Sequence, residues 1–350
     1  MAEELKKKYP SLSLVYVCGN KDIENAIFRM ISGEKVIAVE SAPFRGGRSL
    51  FSAVFLLKLM QGLRRSFVIL RKEKPDIVVG FGGHFSFPVI LMARLLGIKT
   101  MIHEQNVMPG FANKALMRCV DSVAISFEDT RRYLPRHGRM RCTGNPVRAF
   151  IERDCREEAL KFFGFSPDKV TVLVLGGSQG AESINSVFLS ALKLLPPKTK
   201  ELLQAVHLTG KMSTALAEEA CAKEGVFSRA FSFFERMDLA YGAVDFAMGR
   251  AGATFLAEAK ARAIPAILVP YPFAGGHQLL NARAFLGDGE SLIIEQADLS
   301  AQMLVPVLEN FIQKAFERKK RTTALSPIQT NENSRTKLMS FMEECAGWAR

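Results

Sequence analysis

No two cysteines are spaced as C-x-x-C. The six present (Cys18, Cys119, Cys142, Cys155, Cys221 and Cys345) are scattered over 350 residues. That distribution argues against a disulfide framework or a zinc site and fits a reducing compartment. No long uninterrupted apolar run exists either: the longest apolar stretch, residues 49–70, is broken by Lys58, Arg64 and Arg65, so it is not a membrane span. The first residues are acidic and then lysine-rich, without the apolar core of a signal peptide. No Lys/Arg run carries interleaved aromatics, which ranks nucleic acid last among partners. A Walker A motif is missing, since Gly210-Lys211 is followed by Met212. A dinucleotide fingerprint fails at Leu175, where its first glycine would fall, and at Val206-His-Leu-Thr209, where no acidic residue ends the next strand. The segment Gly80-Phe-Gly-Gly-His-Phe85 also fails, at its last position.

What the chain has in excess is positive charge. Its 47 Lys and Arg against 35 Asp and Glu leave a net charge of +12 and a pI near 9.5. Such a surface calls for a negative partner (nucleic acid, an anionic membrane surface or a phosphorylated substrate) or is no more than a basic surface that keeps the protein soluble. With 48% hydrophobic and 23% charged residues the chain buries real cores, and its length suggests two domains.

Strands are expected at 12–17, 35–39, 75–80, 98–103, 121–126 and 140–143, and again at 170–175, 203–208, 227–234, 244–248, 266–269 and 292–294. Helical spacing fills many of the gaps, at 49–70, 88–96, 182–192, 253–263 and 300–318. Strands alternating with helices predict parallel sheets covered on both faces. The fold class expected is therefore α/β, two Rossmann-like domains facing a cleft, with ligands at the carboxyl ends of the strands. The expected division is 1–148, then 149–330, with a helix in 331–350 packing back on the first domain. Gly144-Asn-Pro-Val-Arg148 marks the boundary, and the charged segment 152–163 after it reads as a linker.

Three glycine-bearing strand ends carry the chemistry. Val170-Thr-Val-Leu-Val-Leu-Gly-Gly-Ser-Gln-Gly-Ala181 is a strand, a glycine loop and a helix start, which together make an anion site of free N–H groups and helix dipole. An ordinary tight turn explains the loop equally well when it is taken alone. Gly249-Arg-Ala-Gly-Ala-Thr254 opens a second helix, with Glu258 about a turn and a half in, where a carboxylate can take both hydroxyls of a ribose, although taken alone it reads first as a solvated helix charge. Pro270-Tyr-Pro-Phe-Ala-Gly-Gly-His-Gln-Leu-Leu-Asn281 puts His277, Gln278 and Asn281 at a third helix start, as sugar donors or as simple caps. Three helix N-termini aimed at one place suit a diphosphate and a sugar.

In order along the chain, His103-Glu-Gln-Asn106, Gly144-Asn-Pro-Val-Arg148, Gly176-Gly-Ser-Gln-Gly-Ala181, Arg250-Ala-Gly-Ala253 with Glu258, and His277-Gln278 with Asn281 resemble the MurG family. These are UDP-N-acetylglucosamine transferases acting on undecaprenyl-pyrophosphoryl-muramyl pentapeptide, and the resemblance runs from about Leu12 past Asp298. It implies a GT-B fold and an inverting transfer of N-acetylglucosamine (GlcNAc) to the muramyl 4-hydroxyl. On the donor side it implies that Ser178 and Gln179 contact the diphosphate or sugar, and that the backbone near Phe234 contacts the uracil. Glu258 would hold the ribose, His277 and Gln278 the GlcNAc and phosphates, and Arg148 would sit near the nucleotide. On the acceptor side Gly82, Gly83 and His84 of the 80–88 loop, with Glu104, Gln105 and Asn106, would meet the lipid-linked diphosphate and sugar. No D-x-D motif is present, so neither a metal nor another cofactor is expected, and helix dipoles would stabilise the departing UDP.

The family opens on a strand and a G-G-T-G-G-H-type loop that supplies a histidine proposed as general base. Met1 aligns within the helix that follows that loop, and no such motif occurs in the 350 residues. His84, His103 and Glu104 stand as substitutes for the base, with His84 and Glu104 the catalytic candidates, but each reads equally well as structural and the sequence assigns no base. A truncated, non-catalytic scaffold that binds UDP-GlcNAc or partners, and a UDP-sugar transferase acting on another lipid, are the alternatives. Leu50, Phe51, Val54, Phe55 and Leu57 with Lys58, Arg64 and Arg65 make an apolar surface flanked by cations, suited to anionic lipid, or else an internal core helix. The partners implied are thus UDP-GlcNAc, the undecaprenyl-linked muramyl pentapeptide, an anionic membrane surface and other cell-wall synthesis proteins, with a peripheral place on the cytoplasmic face of the cell membrane.

Overall fold

A computed structural model describes residues 1–19, 34–39, 41, 53–176, 181–273, 275–286, 290–321 and 333–348. Two compact units emerge, one of residues 1–146 with 332–350 and one of residues 147–331.

The first unit is built on short parallel strands. β1 (Val15–Cys18) pairs with β2 (Lys35–Ala38) in a two-stranded sheet. β3 (Ile77–Gly80), β4 (Lys99–Glu104), β5 (Ser122–Ile125) and β6 (Met140–Cys142) form a second sheet in that order, all parallel. Among the described residues β1 and β3 do not pair with each other, although Val17 and Val78 share one apolar cluster with Val39, Ile69 and Val89. β4 is buried at five of its six positions, as a central parallel strand covered on both faces should be.

The helix expected from Pro88 in fact starts five residues earlier, at Gly83, and runs to Leu95. Proline inside a helix strands the carbonyl four residues back. Here that carbonyl is His84 O, and the Ser41 hydroxyl donates to it at 2.8 Å. Positive φ values at Gly82 (84°) and Gly83 (77°) make the sharp entry from β3, which a side chain would resist. The closing helix Ser334–Ala346 begins at Asn333, whose side chain accepts from Arg335 N, and ends at Gly347 with φ 77°. It lays Leu338, Phe341, Met342 and Cys345 on Leu5, Met101 and Ala124. Two ion pairs fix its register: Lys8 with Glu343 at 2.6 Å, and a bidentate Arg141–Glu344 pair at 2.8 Å.

The second unit carries one six-stranded parallel sheet, ordered β9-β8-β7-β10-β11-β12. Its strands are β7 (Val170–Leu175), β8 (Leu203–Leu208), β9 (Phe227–Phe231), β10 (Phe246–Gly249), β11 (Ala266–Leu268) and β12 (Leu292–Ile293). The chain winds outward from β7 to β9, then restarts beside β7 at β10. This is the doubly wound order, and its switch point lies between β7 and β10. All six residues of β7 are buried, which explains why its sequence is a continuous apolar run rather than an alternating one. Gly249 is forced by proximity, because a Cβ there would come within 2.8 Å of Leu175 O.

Segment 152–163 is not a linker. Its helix, Arg156–Phe163, buries Ala159, Leu160 and Phe163 in the core of the second unit and stops at Gly164 with φ 70°. The charged residues that suggested a linker line its outer face, and Arg156 pairs with Asp245 at 2.9 Å. The strand expected over 227–234 ends at Phe231; Phe234 lies beyond it, packed on Phe231, Phe162 and Phe163.

Candidate functional site

In the second unit the glycine-bearing strand ends gather at the switch point. β7 delivers Gly176, and the helix Glu182–Leu194 starts six residues later. Ser178 and Gln179 lie outside the described residues. β10 delivers the segment 250–252, and the helix Ala253–Ala261 begins at once. Arg250, largely buried, ties these ends together. Its guanidinium donates to Ser183 Oγ (3.1 Å) on the first of these helices, to Gln296 Oε1 (2.6 Å) and to the carbonyls of Val269 and Pro270 (3.1 and 3.3 Å), and it lies over the Tyr271 ring. Five N–H donors in a fixed fork allow one arginine to set three loops. The sequence marks Arg250 only as part of a motif; its partners Ser183 and Gln296 carry no signal of their own.

Glu258 sits in the second turn of the helix Ala253–Ala261 and is 5% exposed. Its carboxylate is gripped from two sides: Tyr241 Oη donates to Oε2 at 2.9 Å, and Arg148 Nη2 donates to Oε1 at 3.2 Å. Burial raises its pKa above the usual carboxylate value, with Arg148 and the Tyr241 hydrogen bond opposing that shift. Arg148 in turn covers the Phe150 ring. The arrangement leaves a desolvated acceptor pinned at the carboxyl end of the sheet, as hydroxyl recognition requires.

The third strand end carries His277 and Gln278 at the start of the helix His277–Phe285, after Gly276 with φ 73°. Gln278 Oε1 accepts from Tyr271 N at 2.9 Å, which holds the amide in place. Asn281 is neither a sugar donor nor a cap: it is fully buried, and its amide reaches Ala251 O at 3.5 Å, joining this helix to the 250–252 segment. Phe234 is half-buried among the Phe162, Phe163 and Phe231 rings.

In the first unit Gly82, Gly83 and His84 open the helix Gly83–Leu95, and the segment after β4 meets them. Gln105 Nε2 donates to Phe81 O at 2.9 Å, and a Cβ on Gly82 would lie 3.5 Å from Gln105 Oε1 and Asn113 Nδ2. Glu104 is buried and accepts four hydrogen bonds: from Asn106 N (2.9 Å) and Nδ2 (3.3 Å), Gly110 N (3.1 Å) and Asn113 Nδ2 (2.9 Å). A carboxylate has about four lone-pair sites, so Glu104 organises the 104–113 turn and has none left for a substrate proton. His103 is also fully buried. Its Nε2–H donates to Gly144 O (3.0 Å) and its Nδ1 accepts from Gln105 Nε2 (3.2 Å), so burial depresses its pKa and keeps the ring neutral and structural. His84, half-buried and tilted against the Phe85 ring with centroids 3.9 Å apart, is the candidate base that geometry leaves.

Comparison with known proteins places both units in one family. Residues 1–125 match the glycosyltransferase family 28 N-terminal domain and residues 171–338 its C-terminal domain. A UDP-N-acetylglucosamine--N-acetylmuramyl-(pentapeptide) pyrophosphoryl-undecaprenol N-acetylglucosamine transferase of Halothermothrix orenii is 35% identical, over 99% of this chain and 94% of its own. The protein of the same name from Syntrophus aciditrophicus is 36% identical over 89% of this chain and 84% of its own. Among solved structures, Acinetobacter baumannii MurG superposes with a TM-score of 0.70 at 23% identity, covering 98% and 94% of the two chains. A UDP-GlcNAc 2-epimerase from Neisseria meningitidis, bound to UDP-GlcNAc, superposes with a TM-score of 0.57 at 13% identity. The last two show the fold, a two-domain GT-B arrangement of parallel sheets.

Proposed function

Because the chain belongs to the MurG family within glycosyltransferase family 28, we propose that it transfers GlcNAc from UDP-GlcNAc to the 4-hydroxyl of undecaprenyl-pyrophosphoryl-muramyl pentapeptide, with inversion. The observation that carries this is Glu258, a buried carboxylate held at the switch point of a doubly wound sheet, where a nucleotide ribose belongs. The glycine loop with Ser178 and Gln179, and His277 and Gln278, hold the diphosphate and sugar, while the uracil lies against backbone near Phe234. The helix starts at Glu182, Ala253 and His277 turn the positive ends of their dipoles to the negative charge that grows on UDP as it leaves. Gly82, Gly83, Gln105 and Asn106 meet the acceptor. In one displacement the muramyl oxygen bonds to the anomeric carbon, the bond to UDP breaks, and His84 takes the hydroxyl proton.

The membrane-held acceptor is met by the helix Ala53–Glu73. Gly62, Ser66, Ile69 and Leu70 form its buried face, and the helix packs on Gly83–Leu95. It is therefore not an internal core helix: Val54, Leu56, Leu57 and Met60 are 50–67% exposed, beside exposed Lys58 and Arg64. Leu50 and Phe51 lie outside the described residues. Among the described residues no helix is long and apolar enough to cross a membrane. An apolar face rimmed by cations suits peripheral docking on anionic lipid.

Acceptor choice is the test. Offered UDP-GlcNAc with undecaprenyl-pyrophosphoryl-muramyl pentapeptide or with a polyprenyl lipid carrying a different sugar, the protein should glycosylate the first. Transfer to the second alone would give the enzyme a different substrate.

A further inference from the structure

Tyr241 is a buried titratable group to which the transfer itself assigns no task. It lies on the helix Met237–Ala243 and is 2% exposed, and its hydroxyl is spent on one partner, Glu258 Oε2, at 2.9 Å. We infer that Tyr241 is a positioning residue for nucleotide recognition: it fixes the rotation of the Glu258 carboxylate so that its free lone pairs meet the ribose diol.

The terminal torsion of a glutamate is broad and roughly two-fold, so packing of the methylenes does not set where its oxygens point. A donor on each oxygen does. Tyr241 binds Oε2 from the core and Arg148 binds Oε1 at 3.2 Å from the solvent side. Two of about four lone-pair sites are then taken and two remain for two hydroxyls. The two donors differ in how firmly they are held. The Arg148 side chain is 52% exposed and reaches Glu258 from solvent. Tyr241 is anchored, because its neighbour Gly242 is packed so tightly on Cys155 and Ala159 that a Cβ there would come within 2.7 Å of Cys155 Sγ. Burial and the nearby Glu258 charge push the phenol pKa well up, so the hydroxyl stays a donor at all working pH values. Phenylalanine in its place would leave a buried carboxylate oxygen without a partner and the carboxylate free to rotate.

This rests on the assignment of Glu258 to the ribose, and the test separates the two. Calorimetry compares UDP with 2′-deoxy-UDP on the wild type, Tyr241→Phe, Glu258→Gln and the double variant. The wild type should prefer UDP by about tenfold, the scale of one hydrogen bond to a charged group. Tyr241→Phe should shrink the preference to about twofold while changing 2′-deoxy-UDP affinity little, and the double variant should match Glu258→Gln. A purely structural tyrosine predicts otherwise: equal weakening for both nucleotides, or an unchanged preference in Tyr241→Phe alongside its loss in Glu258→Gln, overturns the inference. A preference that survives Glu258→Gln removes Glu258 from the ribose and the inference with it. Tyr241→Phe is isosteric and its folding is checked by thermal midpoint; if that variant is unstable, the double variant still decides, since an effect additive to Glu258→Gln contradicts action through Glu258.

Discussion

At the scale of single residues, the buried polar groups of the second unit set how the protein responds to pH. His207 on β8 is fully buried, its Nε2–H donates to Asn185 Oδ1 at 3.0 Å, and its Nδ1 has no partner among the described residues. Desolvation lowers its pKa from 6.5 to about 4. The unfolded chain therefore binds more protons than the folded one in that window, so the stability is present above pH 6.5 and is lost as pH falls toward 4. Between pH 7 and pH 5 the loss is about 2 kcal/mol. Chemical denaturation of His207→Gln over that range should show a decline smaller by about that amount; a decline parallel to the wild type would contradict it. The same burial hides such groups from sequence inspection. Glu258 reads in sequence as a solvated helix charge unless the family resemblance is added, and Tyr241 carries no signal at all, because a tyrosine within Leu239-Ala-Tyr-Gly-Ala243 reads as core and its partner is 17 residues away. Glu104 and His103 read as catalytic for the converse reason: the donors and acceptors that saturate them, at Gly110, Asn113 and Gly144, are visible only once the chain has folded.

At the scale of elements, strand positions are legible and helix starts less so. β7 falls where its apolar, β-branched run places it, because a parallel strand covered on both faces has no alternation to disturb. The helix Gly83–Leu95 is misjudged from Pro88, since the hydroxyl that rescues His84 O comes from Ser41, 43 residues away. The helix Ala53–Glu73 is legible as amphipathic with cations, while which face it buries is a tertiary fact set by Gly62 and Ser66. Its outer face yields a prediction. Each exposed cation near an anionic surface contributes about 1 kcal/mol, and the apolar residues add insertion. Lys58→Glu/Arg64→Glu should lower the partition coefficient onto phosphatidylglycerol vesicles by at least tenfold, with little change on neutral vesicles. Binding to both vesicle types that is indifferent to the substitutions would remove this helix from the docking surface.

At the scale of the whole molecule, the alternation of strands and helices announces two α/β units, and the glycine-bearing strand ends announce nucleotide-sugar chemistry in the second. The order of that sheet, with its switch between β7 and β10, is what turns three separate loops into one place. No periodicity in the sequence encodes that order; it is set by the pairing of both β8 and β10 with β7. The central claim is that this place and the first unit together perform an inverting sugar transfer. Its most direct measurement is the anomeric configuration of the product formed from UDP-GlcNAc and undecaprenyl-pyrophosphoryl-muramyl pentapeptide, read by proton NMR of the released disaccharide. The α-linked donor should yield a β-1,4-linked GlcNAc–muramyl unit, with one UDP released per linkage. An α-linked product, or no product from a protein that still binds UDP-GlcNAc, would contradict it.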